Sequence, residues 1–205
     1  RRLQQLLDFK DRNLSNMKLI PAQVIARNPS TWYNTITIDR GKSDGISRNM
    51  AVITPQGLVG RVTLVESDYA VVILITDREA AVGAMVQETR VPGIIVGTGT
   101  GERLKLSQIP FYSKVEKGSR VVTSRFSELY PPGILIGKIQ SVSAEPEALT
   151  RMATVIPAVD LDQVEEVLVV KDYVKPAAEW GELLEENADE SGQGINPPAI
   201  SGQAY

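Results

Sequence analysis

The sequence contains neither histidine nor cysteine. Without histidine there is no Ser-His-Asp triad and no imidazole general base. Without cysteine there is no thiol nucleophile, no disulfide and no Cys/His zinc site. Aromatic residues make up 5% of the 205 positions, so the core must be packed mainly by Val, Ile and Leu. No apolar run approaches the roughly 20 residues that span a bilayer as a helix. There is no initiator Met and no segment with the basic start and apolar centre of a signal peptide. The chain opens in mid-pattern at Arg1-Arg2-Leu3 and reads as a piece of a longer protein whose upstream part carries any anchor. Net charge is −3, unevenly placed: residues 176–205 hold six acidic side chains and no Lys or Arg. The rest is mildly basic and lacks the concentrated basic stripe of a nucleic-acid binder.

One unusual pattern occurs twice, and repeats decide architecture. The first copy runs Asn49-Met50-Ala51-Val52-Ile53-Thr54, then Gly57-Leu58-Val59-Gly60-Arg61-Val62, and closes at Ile75-Thr76-Asp77. The second runs Gly118-Ser119-Arg120-Val121-Val122-Thr123, then Gly133-Ile134-Leu135-Ile136-Gly137-Lys138-Ile139, and closes at Ala158-Val159-Asp160. Two similar β units are therefore expected side by side.

Around the repeat the chain reads as short β-rich runs separated by Gly, Pro, Asp and Ser turns. Strands are expected at 22–27, 35–39, 50–54, 58–65, 70–75, 81–86, 93–97, 104–106, 119–123, 134–142, 152–156 and 167–170. Almost no helix lies between them. Parallel sheets need long crossovers, usually helical, so the expected fold is mainly β: two small antiparallel barrels in tandem. The first is expected over 17–100 and the second over 101–173, joined at Gly97-Thr98-Gly99-Thr100-Gly101, with strand exchange between them left open. Residues 1–16 have helical periodicity, and Leu3, Leu6, Leu7 and Leu14 form the stripe of a coiled-coil end or of a short helix packed on the body. Residues 174–205, acidic and containing Pro and Gly, are expected to be disordered.

The motifs that suggest chemistry have plainer readings. Gly41-Lys42-Ser43 resembles the end of a phosphate loop, but Ile36 stands where the first glycine belongs and no helix follows, so a polar turn is expected. The glycines at 97–101 lack both the third glycine of a dinucleotide fingerprint and its helix. Gly57-Leu58-Val59-Gly60 resembles the carboxylate loop of PDZ domains, yet its second copy argues for a structural purpose, a turn followed by a close strand crossing or bulge. Asp160/Asp162 and Asp39/Asp44 lack calcium-loop spacing. Asp77 and Asp160 end equivalent strands and are expected to cap turns. Ser124 and Ser43 have no base placed to activate them. No catalytic, metal or cofactor site is therefore expected. The loop aromatics Trp32, Tyr33, Phe111, Tyr112, Phe126 and Tyr130 are either partner-binding anchors or plugs at barrel ends.

In order and spacing, the chain resembles the extracytoplasmic part of the bacterial rod shape-determining MreC family over roughly residues 1–173. The resemblance rests on Ile20 to Gly41, including Asn28-Pro29-Ser30-Thr31-Trp32-Tyr33, and on Asp44-Gly45-Ile46. It continues through Gly57 to Val62, Leu74-Ile75-Thr76-Asp77, Val121-Val122-Thr123-Ser124, Pro132-Gly133-Ile134, Ile136-Gly137-Lys138 and Pro157-Ala158-Val159-Asp160. Arg125 departs from it, standing where the family usually has glycine. The resemblance implies a chymotrypsin-like topology without protease activity. It also implies a periplasmic domain of a single-pass inner-membrane protein, self-associating as a dimer or filament within the cell-elongation machinery. Implied partners are the elongation-specific penicillin-binding transpeptidase, MreD and RodZ, with MreB across the membrane. The implied action is scaffolding that activates the transpeptidase. The alternative from the residues alone is a degenerate or unconventional serine hydrolase on a double barrel, using Ser with a Lys or carboxylate partner.

Overall fold

The computed structural model describes residues 17–28, 34–99, 102–127, 129–144 and 150–173. The leucine stripe Leu3, Leu6, Leu7 and Leu14 and the tail from 174 lie outside the described residues. Among the described residues twelve strands fold into two closed antiparallel barrels. The first barrel comprises β1 (Met17–Arg27), β2 (Thr35–Ile38), β3 (Ala51–Thr54), β4 (Gly57–Val65), β5 (Ala70–Leu74) and β12 (Glu166–Tyr173), in the order β1-β12-β3-β4-β5-β2. The second comprises β6 (Ala81–Val86), β7 (Pro92–Gly97), β8 (Leu104–Pro110), β9 (Arg120–Thr123), β10 (Leu135–Ala144) and β11 (Thr150–Pro157), in the order β10-β11-β8-β7-β6-β9. The mainly β, two-barrel fold is the one expected from short strands without crossovers.

The boundary between barrels departs from the expectation. Gly97 does not join two domains: it pairs with Leu104 across the β7–β8 hairpin, inside the second barrel. Strands β6 and β7, expected in the first barrel, belong to the second, and the chain crosses over between Leu74 and Ala81. The first barrel closes instead with the last strand. β12 pairs with β1 from Met17↔Tyr173 to Gln23↔Glu166 and with β3 at Leu168↔Ile53 and Val169↔Val52. Without β12, both β1 and β3 would expose an unpaired edge, which closure removes. Arg27 holds the returning chain in place, donating from Nη1 to the Leu161 carbonyl at 2.8 Å and from Nη2 to the Val164 carbonyl.

The sequence repeat has a structural counterpart in β3-β4-β5 and β9-β10-β11. Asn49 and Gly118 open the two copies with positive φ, 70° and 91°. In the first copy Val52 pairs with Gly60 and Ile53 with Leu58, so Val59 is an extra, bulged residue. In the second, Val121 pairs with Gly137 and Val122 with Leu135, so Ile136 is bulged. Each bulged residue uses its carbonyl to accept a hydrogen bond from the chain just after the third strand: Ile75 N donates to Val59 O at 3.0 Å, and Ala158 N to Ile136 O at 2.9 Å. A second pair of bulges follows at Thr63 and Gln140. Bulges bend and twist a strand, which helps the three strands of each copy curve into a closed six-stranded barrel. The glycines between the two bulges permit a close crossing: a Cβ on Gly60 would lie 1.9 Å from the Ile73 carbonyl oxygen, and one on Gly137 would lie 2.0 Å from that of Ile156.

The core is aliphatic, as the aromatic content required. Ile36, Ile38, Ile53, Leu58, Val62 and Val72 fill the first barrel, and Val82, Ile95, Leu104, Leu106, Ile139 and Val155 the second. Among the described residues the one aromatic side chain in the core is Tyr130.

Candidate protein-interaction surface

In a two-barrel protease the reacting groups would converge where the barrels meet. Here a cavity of about 350 Å³ lies between the β3–β4 turn and the chain returning to β12, lined by Thr54, Gln56, Asp160, Gln163, Glu165 and Glu166 among others. No serine or lysine lines it. Asp160 Oδ1 accepts the Asp162 amide at 3.2 Å. Asp77 is buried and fully used: Oδ2 accepts the Asn34 amide at 2.7 Å and Oδ1 the Glu79 amide at 2.8 Å. Both repeat-ending aspartates therefore cap turns. Among the described residues no cluster of three metal-binding side chains occurs.

The serines are turn residues as well. Ser124 is buried, donates its amide to the Gly83 carbonyl at 2.9 Å, and accepts the Phe126 amide on Oγ at 3.2 Å. Its oxygen caps a turn by accepting the Phe126 amide. Gly41 caps a short 3₁₀ turn, Lys42–Asp44, in which Lys42 and Ser43 donate their amides to the carbonyls of Glu66 and Ser67. Gly41 donates its own amide to Asp44 Oδ2 at 3.0 Å. This loop is occupied with holding the β4–β5 turn and presents no phosphate cradle.

The surface offers bulk instead of chemistry. Tyr112 is 89% exposed, Phe126 86% and Phe111 53%. The Phe111 ring is covered on one face by the Arg151 guanidinium, 4.7 Å from the ring centre, a contact that fixes the orientation of both. Phe126 rims a depression of about 230 Å³ whose walls include Gly83, Pro92, Gly93, Ile94 and Gln108. Gln108 sits at φ 60° where β8 bulges against β11, three residues before Phe111. Exposed aromatics beside a shallow apolar depression are the usual anchors of a protein interface. Leu129, exposed on the same loop as Phe126, was not singled out from the sequence; its place beside Phe126 in a Pro-terminated loop was the available signal. On the first barrel Ile25, Leu64 and Tyr69 are exposed as well, with Leu64 on the rim of a second depression of about 340 Å³ near Ile46 and Arg48. Leu64 follows the Thr63 bulge, which interrupts the in–out alternation that strand reading relies on.

Tyr130 does not belong to this surface. It was grouped with the loop aromatics, yet it is only 3% exposed. Its side chain is part of the hydrophobic core instead. Burial pushes its pKa up to about 12, against the opposing pull of Arg61. A loop position therefore does not imply an exposed one. Trp32 and Tyr33 lie outside the described residues.

Comparison with known proteins agrees with this architecture. Residues 24–171 match the family model described as rod shape-determining protein MreC, barrel core. The cell shape-determining protein MreC of Listeria monocytogenes is 38% identical over 173 residues, covering 82% of this chain and 58% of that protein. A solved MreC structure from Listeria superposes with a TM-score of 0.72 at 34% identity, covering 86% of this chain and 89% of that one. A solved complex between penicillin-binding protein PBP2 and MreC from Helicobacter pylori shares the fold, with a TM-score of 0.60 at 18% identity, over 76% of this chain and 99% of that one. The chain spans about three fifths of the length of the MreC proteins of Listeria monocytogenes and Streptococcus pneumoniae. Two closed barrels, their repeated bulges and this coverage place the chain in the family of rod shape-determining MreC proteins.

Proposed function

We propose that this chain is the extracytoplasmic part of a non-enzymatic scaffold of the cell-elongation machinery, docking an elongation-specific peptidoglycan transpeptidase through the second barrel. The observation that carries this reading is the exposed set Phe111, Tyr112 and Phe126 on a chain without histidine or cysteine. The Helicobacter complex of PBP2 with MreC supports a partner of that class. Docking activates the transpeptidase by favouring its active arrangement, which requires that the scaffold bind that arrangement more tightly than the resting one. Full-length relatives are longer than this chain, and the reading extends to them: a single-pass inner-membrane protein with this region in the periplasm. MreD and RodZ are proposed as further partners, with MreB on the cytoplasmic side. Self-association, as a dimer or filament, is assigned to the leucines of the lead-in, Leu3, Leu6, Leu7 and Leu14, and to Trp32 and Tyr33 a supporting partner contact.

The test is binding of the chain to the purified transpeptidase, wild type against Phe126→Ala and Tyr112→Ala. Truncating an interface anchor costs about 2 kcal/mol or more, or roughly a 30-fold weaker Kd. Absence of binding at tens of micromolar, or wild-type affinity in both variants, would overturn the assignment of this surface.

A further inference from the structure

Strand pairing gathers on the second barrel a set of charges that lie scattered along the chain. Its six strands carry four basic residues, Lys105, Arg120, Lys138 and Arg151, and no Asp or Glu. Three of them stand on one outer face. Lys138 of β10 lies between Arg120 of β9 and Ile156 of β11. Lys105 of β8 pairs with Thr154, two residues along β11 from Ile156. Arg103, exposed just before β8, continues that register towards Ile156. With neighbouring strands about 4.8 Å apart, these cations surround Ile156 within about 15 Å of one another. Ile156 itself is 39% exposed.

Two of the barrel's basic side chains are already engaged. The Glu88 carboxylate meets the Arg120 amide at 3.1 Å and its Nε at 3.4 Å, and Arg151 stacks on Phe111. Lys105, Lys138 and Arg103 form no ion pair among the described residues. For Lys138 the repeat supplies the reason. Arg61, the base at the same position of the first copy, donates from Nη1 to Asn49 Oδ1 at 3.0 Å. The second copy opens with Gly118 where the first opens with Asn49, so it has no side chain to hold Lys138. Like charges at this spacing repel, and a negatively charged partner relieves that repulsion while being steered to the face.

The arrangement selects among anions. The three free cations line none of the depressions described above; they stand apart on a curved strand face. A compact ion such as phosphate meets them one at a time, whereas an extended chain with several negative groups meets them together. Ile156 in their midst offers nothing to a purely ionic polymer, but it packs against an apolar side chain. We infer that the outer face of β8, β10 and β11 docks an acidic polypeptide segment of a partner, one that carries an apolar residue among its carboxylates. The apolar residue covers Ile156, and the carboxylates meet Lys105, Lys138 and Arg103. This site is separate from the Phe126 depression and does not depend on the transpeptidase reading.

The experiment measures fluorescence anisotropy of the chain with a labelled peptide of glutamates flanking a central leucine, at low ionic strength because exposed pairs are screened by salt. A Kd of about 100 μM or tighter is expected, with no binding of the counterpart peptide that has lysines in place of the glutamates. Lys105→Glu combined with Lys138→Glu should weaken binding about tenfold, by replacing two exposed ion pairs with repulsion. Ile156→Ser should weaken it about threefold. The control is Lys42→Glu combined with Arg48→Glu, the same change of net charge on the first barrel, which should leave binding unchanged. All five positions are exposed, so none of these variants disturbs the core. Absence of binding by the acidic peptide overturns the inference. Equal weakening in the first-barrel control overturns it too, since the attraction is then that of net charge. A loss in Phe126→Ala of the same size as in the lysine variant would also overturn it, because the two surfaces would then be one. Inorganic polyphosphate is titrated in parallel: if it binds more tightly than the peptide and Ile156→Ser has no effect on either, the face takes a phosphate polymer and the polypeptide assignment fails.

Discussion

Replacing Gly137 by alanine puts a methyl group 2.0 Å from the Ile156 carbonyl oxygen and 2.9 Å from Val155 Cγ1. The nearer obstacle is backbone of the adjacent strand, so no rotamer change relieves it. β10 and β11 must separate by about 1.5 Å locally to restore contact at ordinary van der Waals distance. In a closed barrel that displacement is passed on to β9 and β8, the outer neighbours of this pair. Overpacking of this kind costs about 1–3 kcal/mol, and the backbone obstacle argues for the upper end. Alanine also restricts the unfolded chain, which returns about 0.4–1 kcal/mol. The net loss is about 2 kcal/mol, which for a chain of this size lowers Tm by roughly 4–8 °C. Gly133→Ala isolates the conformational part: its φ is 82° and nothing lies within 4 Å of the added Cβ. It should cost about 1 kcal/mol, or roughly 2–4 °C. Gly60→Ala, the same position in the first copy, should behave like Gly137→Ala, because its Cβ would meet Ile73 O at 1.9 Å. Thermal unfolding followed by far-ultraviolet circular dichroism measures all three. A Gly137→Ala melting temperature at or above that of Gly133→Ala would refute the close-crossing account of the repeat.

Two further predictions concern buried polar groups. Tyr130 ionises near 10 in an unfolded chain and at about 12 in the fold, so the folded state holds its proton more tightly. The resulting stability, about 2.7 kcal/mol at most, is fully present below pH 10 and lost as pH rises towards 12; Tyr130→Phe should abolish that part of the pH dependence in urea unfolding, and an unchanged slope would contradict it. Asp77→Ala leaves the Asn34 and Glu79 amides without their acceptors and should cost about 2–4 kcal/mol, whereas Asp77→Asn keeps one acceptor oxygen and should cost less. Equal urea midpoints for the two variants would show that Asp77 is not acting as a cap.

Much of this molecule is legible locally. Strand positions follow from β-branched runs between turn residues, and all twelve expected strands overlap observed ones. The capping roles of Asp77 and Asp160 follow from a short carboxylate at a strand end, which bonds an amide two residues on without help from the rest of the fold. The turn at Gly41-Lys42-Ser43 reads correctly for the same reason: what disqualifies it as a phosphate loop is missing within a few residues of it.

The amino-acid sequence by itself determined that this is a β-rich chain with a duplicated unit and no histidine or cysteine chemistry, because composition and local pattern suffice for those statements. Tertiary structure alone decided which barrel each strand joins. β6 and β7 leave the unit they follow, and β12 returns across about ninety residues to seal the first barrel, since edge pairing is satisfied by whichever strand completes the ring, not by the nearest in sequence. Tertiary structure also separated Tyr130 from Phe126, four residues apart on one loop, by burying the first in the core and leaving the second in solvent. Burial depends on what arrives from elsewhere in the chain, and no local pattern carries that information.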